Sequence, residues 1–388
     1  MKIFRFWGPL SRLCLLLCLL PACAPETDTA APFKIAVIAP LSGEYEAVGG
    51  ATHNGVVLAV EEWNQRGGVL GRPIQIVLED GKCDYQTARE ATQRAITTGG
   101  ARFIIGAVCA NESEGVAQVA VKNKALQITH ASVNLDLTLD AEGVVRPLVF
   151  RVPFADPVQG EAMAQFALTQ LNVKKAAILY AENSSYGRNL ANAFETTFKA
   201  GGGSVVARKT YKSDAEVYFE VLETIRDESP EVLYMPGYAT VINRLGQQAR
   251  TFGLLQVILG SDGWDSPDLN PNNVNNSYFP THYTPQEPRQ EVQTWIQAYE
   301  ARYIVQPDAI ATLAYDATNI LLAAIVKADD FAPESVAQAM EKMTFQTVGG
   351  PLQFDATHNP RKDIILLKVQ NGQVQFATRL ETTEADTP

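Results

Sequence analysis

The sequence predicts an α/β fold of two lobes, each a mainly parallel sheet flanked by helices, with the chain passing three times between them. Three observations carry this. From residue 33 onward, short apolar runs alternate with helical stretches of about ten to fifteen residues, the spacing of parallel strands joined by crossovers. The alternation starts again after Pro153, and the total of 388 residues exceeds what one hydrophobic core usually supports.

The elements follow in order. KIAVIAP (34–40) reads as a buried strand ending in the loop LSGEYEAVGG, and HNGVVLAVEEWNQRGG (53–68) as a helix stopped by Gly67-Gly68. Next come strand PIQIVLED (73–80), a helix from 85 to about 98, strand RFIIGAV (102–108), a helix over 113–123 and strand ALQITHAS (125–132). In the second half, AAILYAE (176–182), SVVARKTYK (204–212), EVLYMPG (231–237) and QVILGSDG (256–263) alternate with helices near 157–171, 186–200, 215–228 and 239–252.

The stretch 265–290, rich in Asn and Pro, reads as loop. Helical segments over 289–304, 309–327 and 333–343 have no strands of their own and are expected to pack back on the first sheet. PLQFD (351–355) and the hairpin over 363–380, turned at Asn371-Gly372, are assigned to the second lobe. The crossings then fall at FRVPFADP (150–157), YFPTHYTP (278–285) and VGGPLQFD (348–355), each with a Pro, which suits a hinge. The expected division is 33–152 plus 284–349 for the first lobe, 153–283 plus 350–381 for the second, and 382–388 as a tail.

The N-terminus sets the compartment. Lys2, Arg5 and Arg12 precede and flank a short apolar core around 13–20, closed by Leu20-Pro21-Ala22-Cys23. This is the pattern of a secretory signal, too short to span a bilayer, over residues 1–22. Its end resembles the lipobox of bacterial lipoproteins, which implies lipidation at Cys23 and a tether over 23–32. No later segment reads as apolar enough to span, so membrane contact is expected only through the lipid. With Cys14 and Cys18 in the signal and Cys23 lipidated, Cys83 and Cys109 remain, and an even pair in an oxidising compartment points to a disulfide. Unpaired or metal-binding thiols are the alternative, but no His stands at zinc spacing nearby.

The net charge of −11 becomes more negative still once the basic signal is removed, which argues against nucleic acid and anionic membrane surfaces as partners. The four His show no metal spacing, and there is neither a G-x-S-x-G elbow nor a G-x-G-x-x-G turn after a strand. Ser184 and Ser185 stand in a strand-end loop, where a hydroxyl more often caps a helix than attacks a substrate. No enzyme, metal or cofactor is expected. Ligands of parallel α/β sheets lie outside the carboxyl ends of the strands. The loops there are 41–50, 109–115, 131–137, 181–189, 236–240 and 260–266, and they supply hydroxyls, amides, rings and one well-placed acid, Asp262.

IAVIAPLSGEYEAVGGATHNG, the GKCD and IIGAVC pair, FRVPFADPVQG, LYAENSSYG and ILGSDG together resemble the periplasmic leucine/isoleucine/valine-binding proteins over about 33–380. These are substrate receptors of ABC importers, with a type I periplasmic-binding fold and two lobes that close over an amino acid. The resemblance implies that Ala110, Asn111 and Ser113, with Ala131, Ser132 and Val133, receive the ligand carboxylate at helix N-termini. It implies that Tyr186 closes from the second lobe, that Tyr45 and Tyr238 wall the pocket, and that Asp262 pairs with the ammonium. The chain departs from the pattern at Ala110, where a hydroxyl is common, at Val133, where threonine is common, and at Glu112, an acid near a carboxylate site. A first-turn acid such as Glu112 is expected to point to water, the alternative being contact with a cationic or amide-bearing ligand.

The sequence therefore leads to an exported receptor, in the periplasm or on the outer face of a membrane and lipid-anchored at Cys23. It would act as a monomer, capture a branched-chain or related small polar molecule, and deliver it to ABC permease subunits. A ligand-sensing envelope lipoprotein of the same fold is the alternative.

Overall fold

The computed structural model describes residues 1–3 and 31–381. The signal, Cys23, nearly all of the tether and the tail at 382–388 lie outside the described residues. Among those residues the chain builds two large sheets and one small one.

The first sheet is fully parallel and made of β1 (Phe33–Ala39), β2 (Ile74–Asp80), β3 (Phe103–Gly106), β4 (Leu126–Thr129) and β5 (Val149–Arg151), in the order β2-β1-β3-β4-β5. Its helices are α1 (Glu46–Gln65), α2 (Tyr85–Thr97) and α3 (Ala110–Lys122). Ile35, Val37 and Ile105 turn to one face, against Val56 of α1, while Ile38 and Ile104 turn to the other, against Ala88, Ala91 and Val116 of α2 and α3. A sheet covered on both faces needs continuous apolar strands, which is why FKIAVIA does not alternate with polar residues.

After α4 (Asp156–Thr169), the second sheet collects β6 (Lys175–Ala181), β7 (Ser204–Tyr211), β8 (Val232–Tyr234), β9 (Val257–Leu259) and β10 (Ser277–Thr281), with α5 (Ser185–Ala200), α6 (Phe219–Asp227) and α7 (Ala239–Thr251) between them. β8, β9 and β10 run parallel beside β6 and β7. One face packs on α4 and α5 through Met163, Leu190 and Phe194, the other on α6 and α7 through Leu222, Ile242 and Leu245.

The chain then returns to the first core. α8 (Gln290–Tyr303) packs Trp295 and Tyr299 against Leu58 of α1. α9 (Ala309–Ala328) and α10 (Pro333–Met340) place Leu313, Leu321, Ile325, Val336 and Met340 in the core of β1, β3 and β4. By length and composition α9 could cross a membrane, so the sequence reading that no segment past the signal would do so is corrected. It is instead a core helix, with Leu321 and Ile325 fully buried.

A small antiparallel sheet follows, β11 (Phe345–Thr347), β12 (Gly350–Phe354) and β13 (Pro360–Lys362), and then β14 (Ile364–Gln370) and β15 (Gln373–Leu380) complete the second sheet in the order β15-β14-β10-β9-β8-β6-β7. The assignment of PLQFD to the second sheet fails. Leu352 and Phe354 bury in the first core, and the Phe354 ring meets Phe150 of β5 edge-on at 5.0 Å. The third passage between the sheets therefore lies at Lys362–Ile364, after β13, and not at 348–355.

Four further expectations are revised. α1 begins at Glu46 and α3 at Ala110, each earlier than read, because Gly49-Gly50 and the polar run Ala110-Asn111-Glu112 look like loop. β5, read as part of a crossing, is a strand of three residues. β10 lies inside the stretch read as loop, and its Pro280 argued against a strand. β9 pairs with β10 only through Ser277 and Tyr278, so Pro280 sits beyond the end of that ladder and its missing N–H costs no bond to β9.

Candidate functional site

In the first sheet the order reverses at β1, whose neighbours are β2 and β3, and in the second at β6, whose neighbours are β7 and β8. Such reversal points open crevices at the carboxyl ends of strands. All ten sequence-predicted site residues stand in segments that follow strands there: Tyr45 after β1, Ala110, Asn111 and Ser113 after β3, Ala131, Ser132 and Val133 after β4, Tyr186 after β6, Tyr238 after β8 and Asp262 after β9.

On the first sheet, Thr129 gathers two of these loops. Its hydroxyl donates to the Ala107 carbonyl at 2.9 Å and accepts the Ser132 amide at 3.1 Å. Ala110 and Asn111 are exposed in the first turn of α3, whereas Ser113 and Ser132 are buried. Tyr45 is 44% exposed at the start of α1.

Glu112 does not point to water, as the sequence reading expected. It is fully buried, and its Oε2 accepts the Val108 and Cys109 amides at 3.2 and 3.3 Å, closing a capping box on α3. Burial pushes its carboxyl up, against the pull of those amides. A Cβ on Gly81 would fall 2.2 Å from Glu112 Oε1, so any larger residue there would displace that carboxylate where the two loops meet. Cys83 and Cys109 are joined as a disulfide beside it, with Cα atoms 5.2 Å apart. This corner fastens the loop after β2 to the N-terminus of α3.

His130, at the end of β4, is fully buried with Nε2 2.8 Å from Thr52 Oγ1 of α1. Burial lowers its pKa from 6.5 to about 3. As pH falls below 6.5 the unfolded chain takes up a proton that the folded chain refuses, so stability is lost from about 6.5 down to about 3. The slope from this group approaches about 1.4 kcal/mol per pH unit. Urea midpoints between pH 4 and 7 should fall less steeply in His130→Asn than in the wild-type chain, and parallel slopes would rule the assignment out.

The second sheet assembles the densest constellation. Asp262 follows β9 in a short 3-10 turn. Its Oδ1 accepts the Tyr186 hydroxyl and, at 2.9 Å, Nε2 of Gln159 from α4. Gln159 Oε1 in turn accepts the Asp262 amide at 3.0 Å, and the Tyr186 hydroxyl accepts the Gly263 amide at 3.0 Å. Tyr186 stacks on Tyr238 with centroids 5.1 Å apart, and Tyr238 is 58% exposed, leaving its ring open to the crevice. Ser184 caps α5 by accepting the Gly187 amide at 2.9 Å, the structural role that a strand-end hydroxyl favours. Beneath Asp262 the Trp264 ring is fully buried and donates from Nε1 to the Met235 carbonyl at 3.2 Å.

Sequence reasoning missed Gln159, Asp156 and His282 as parts of this site. Asp156 and His282 lie in FRVPFADP and YFPTHYTP, which read as crossings. Gln159 lies in the helix read over 157–171 and in the segment FRVPFADPVQG that carries the resemblance, so none was assigned a role. His282 Nε2 is 3.5 Å from Asp262 Oδ2, and its ring lies 3.8 Å from that of Phe154. Burial alone would raise the Asp262 carboxyl, but the hydrogen bond and charge of His282, with Tyr186 and Gln159, bring it below the ordinary value. Asp156 is raised to about 7, first by burial and then by the Asp262 charge, with Arg151 and Asn189 opposing. Among the described residues of this site, no nucleophile is aligned with a base. Asp262 is thus a buried carboxylate held in position by three side chains, with the exposed Tyr238 ring stacked on Tyr186 beside it.

Two mainly parallel α/β units joined by three passages, with candidate groups at the carboxyl strand ends, make up the type I periplasmic-binding fold. A structure from Rhodospirillum rubrum superposes with a TM-score of 0.80 over 89% of this chain and all of that one, at 23% identity, which shows the fold. Residues 32–373 match the family described as periplasmic binding protein, and the chain belongs to that family. It is 25% identical over 325 residues to a leucine-, isoleucine-, valine-, threonine- and alanine-binding protein of Pseudomonas aeruginosa, covering 83% of this chain and 85% of that one. A leucine-binding protein from Thermotoga maritima is 30% identical with a TM-score of 0.72, over 90% of this chain and 99% of that chain. A branched-chain amino acid receptor from Streptococcus pneumoniae, solved with isoleucine, is 25% identical with a TM-score of 0.73, over 90% and 99% of the two chains.

Proposed function

We propose that this chain is an exported receptor that captures an amino acid of the branched-chain type, or a related small zwitterion, between its two lobes and delivers it to an ABC importer. The observation that carries the reading is Asp262, a buried carboxylate at the end of β9 kept ionised by donors from α4, α5 and the segment after β10. A carboxylate so held suits an ammonium, and the stacked Tyr186 and Tyr238 beside it suit an apolar side chain. The ligand carboxylate would meet the first turn of α3 and the loop at 131–133, where backbone amides and the helix N-terminus favour negative charge. Lobe closure would bend the passages at 152–155, 282–289 and 363. In the cell the chain would be tethered through Cys23, with Cys83–Cys109 oxidised, as a non-enzymatic monomer facing its permease.

The test is thermal unfolding of residues 24–388 against a panel of amino acids, amides, polyamines and small carboxylates, with benzoate as an anion that lacks an ammonium. A ligand at 100 times its dissociation constant adds about 2.7 kcal/mol of stability. A shift with leucine, isoleucine or valine and none with benzoate is the expected result. No shift across the panel would turn the reading toward the sensory lipoprotein.

A further inference from the structure

Asp262 is a carboxylate with one oxygen already engaged. Oδ1 holds the Tyr186 hydroxyl and the Gln159 amide, two donors from two helices. A cation arriving from the crevice must therefore be met by Oδ2, which is the oxygen that His282 Nε2 faces at 3.5 Å. Both side chains are largely buried, at 11% and 16% exposure, so little water stands between their charges.

The His282 ring is itself fixed. Phe154, from the segment between β5 and α4, lies 3.8 Å from it, and the buried Nδ1 has no hydrogen-bond partner among the described residues. The charged groups around it are few and opposed. Asp262 favours a proton on the ring and Lys362 of β13 disfavours it, while the Asp262 charge in turn raises the carboxyl of Asp156 on α4.

We propose that His282 sets the charge class of the ligand: the ammonium of a zwitterionic amino acid and a proton on His282 compete for the same face of Asp262. The proposal rests on the amino-acid reading above. With the imidazole neutral, Asp262 keeps its charge and Oδ2 takes the ammonium. With the imidazole protonated, Asp262 is neutralised from within and a second cation is repelled. Burial lowers the pKa of His282, so the ring is neutral at pH 7 and acquires charge only as pH falls below 6.5. Affinity is therefore fullest at neutral pH and lost on the acid side, a range that an exported protein meets when its surroundings acidify.

The experiment is calorimetric titration with L-leucine from pH 5 to 8, on the wild-type chain and on His282→Gln, which keeps a neutral donor at the position of Nε2. In the wild-type chain affinity should fall toward about tenfold per pH unit below the His282 pKa, one proton being exchanged for one ligand. In His282→Gln it should change by less than about threefold across the range. Equal slopes in the two proteins, or a flat wild-type profile, would overturn the competition. Failure of leucine to bind either protein at any pH would instead overturn the amino-acid reading. A ligand-free measurement then decides the pairing: the NMR titration midpoint of the His282 ring should drop in Asp262→Asn, and an unmoved midpoint would sink it.

Discussion

Asp262→Ala is expected to weaken L-leucine binding by about a hundredfold or more, read by calorimetry at pH 7.5. Truncating one partner of a buried, hydrogen-bonded charge pair costs about 2–5 kcal/mol, much of it from the groups left behind. Here those groups are specific. The Tyr186 hydroxyl and the Gln159 amide would both lose their acceptor, and His282 would lose the carboxylate that faces it. Asp262→Asn keeps the shape and one acceptor oxygen but removes the charge, so it should retain the fold while losing most of the affinity. Binding within about threefold of wild type in both variants would remove Asp262 from the ammonium site.

The largest loss of stability is expected at Trp264→Ala, about 3–5 kcal/mol, the range for deleting a fully buried aromatic side chain. The ring has no exposed surface, donates to Met235 and lies 5.9 Å from Phe279 of β10. The backbone is shaped around it, since a Cβ on Gly260 would fall 2.4 Å from the indole. Removing it opens a cavity directly under the turn that aims Asp262, so the variant should lose ligand affinity along with a Tm drop of roughly 10 °C. A Tm within about 2 °C of wild type would show that the turn is held by other contacts.

The strand-end groups were legible in the sequence because the rule that places them needs only local pattern. An apolar run marks the strand, its end marks the crevice, and Tyr186, Tyr238 and Asp262 fall at such ends. The structure brings these three into contact, and their role in binding is the proposal made above. What could not be read is whatever depends on long-range pairing. Gln159 meets Asp262 across 103 positions, and no periodicity announces such a contact. His282 sits just past β10, a strand hidden by its own proline and by the Asn-rich run before it. Glu112 was misplaced for a related reason: whether a first-turn acid faces water or folds back on its own amides depends on what covers it, here the loop after β2. PLQFD alternates well enough for either sheet, and only the first core offers Phe150 and Leu126 to receive it.

The passage from β13 to β14 spans a single residue, Asp363, and Arg379 of β15 grips that residue at 3.0 Å while also bonding Glu287 at 2.6 Å and the Gly349 carbonyl. A one-residue link has no slack, since consecutive Cα atoms are held about 3.8 Å apart. The small sheet, packed into the first core, and the second sheet are thus pinned at one corner like the covers of a book at its spine. Sliding one past the other would break the arginine clasp that spans the last two passages.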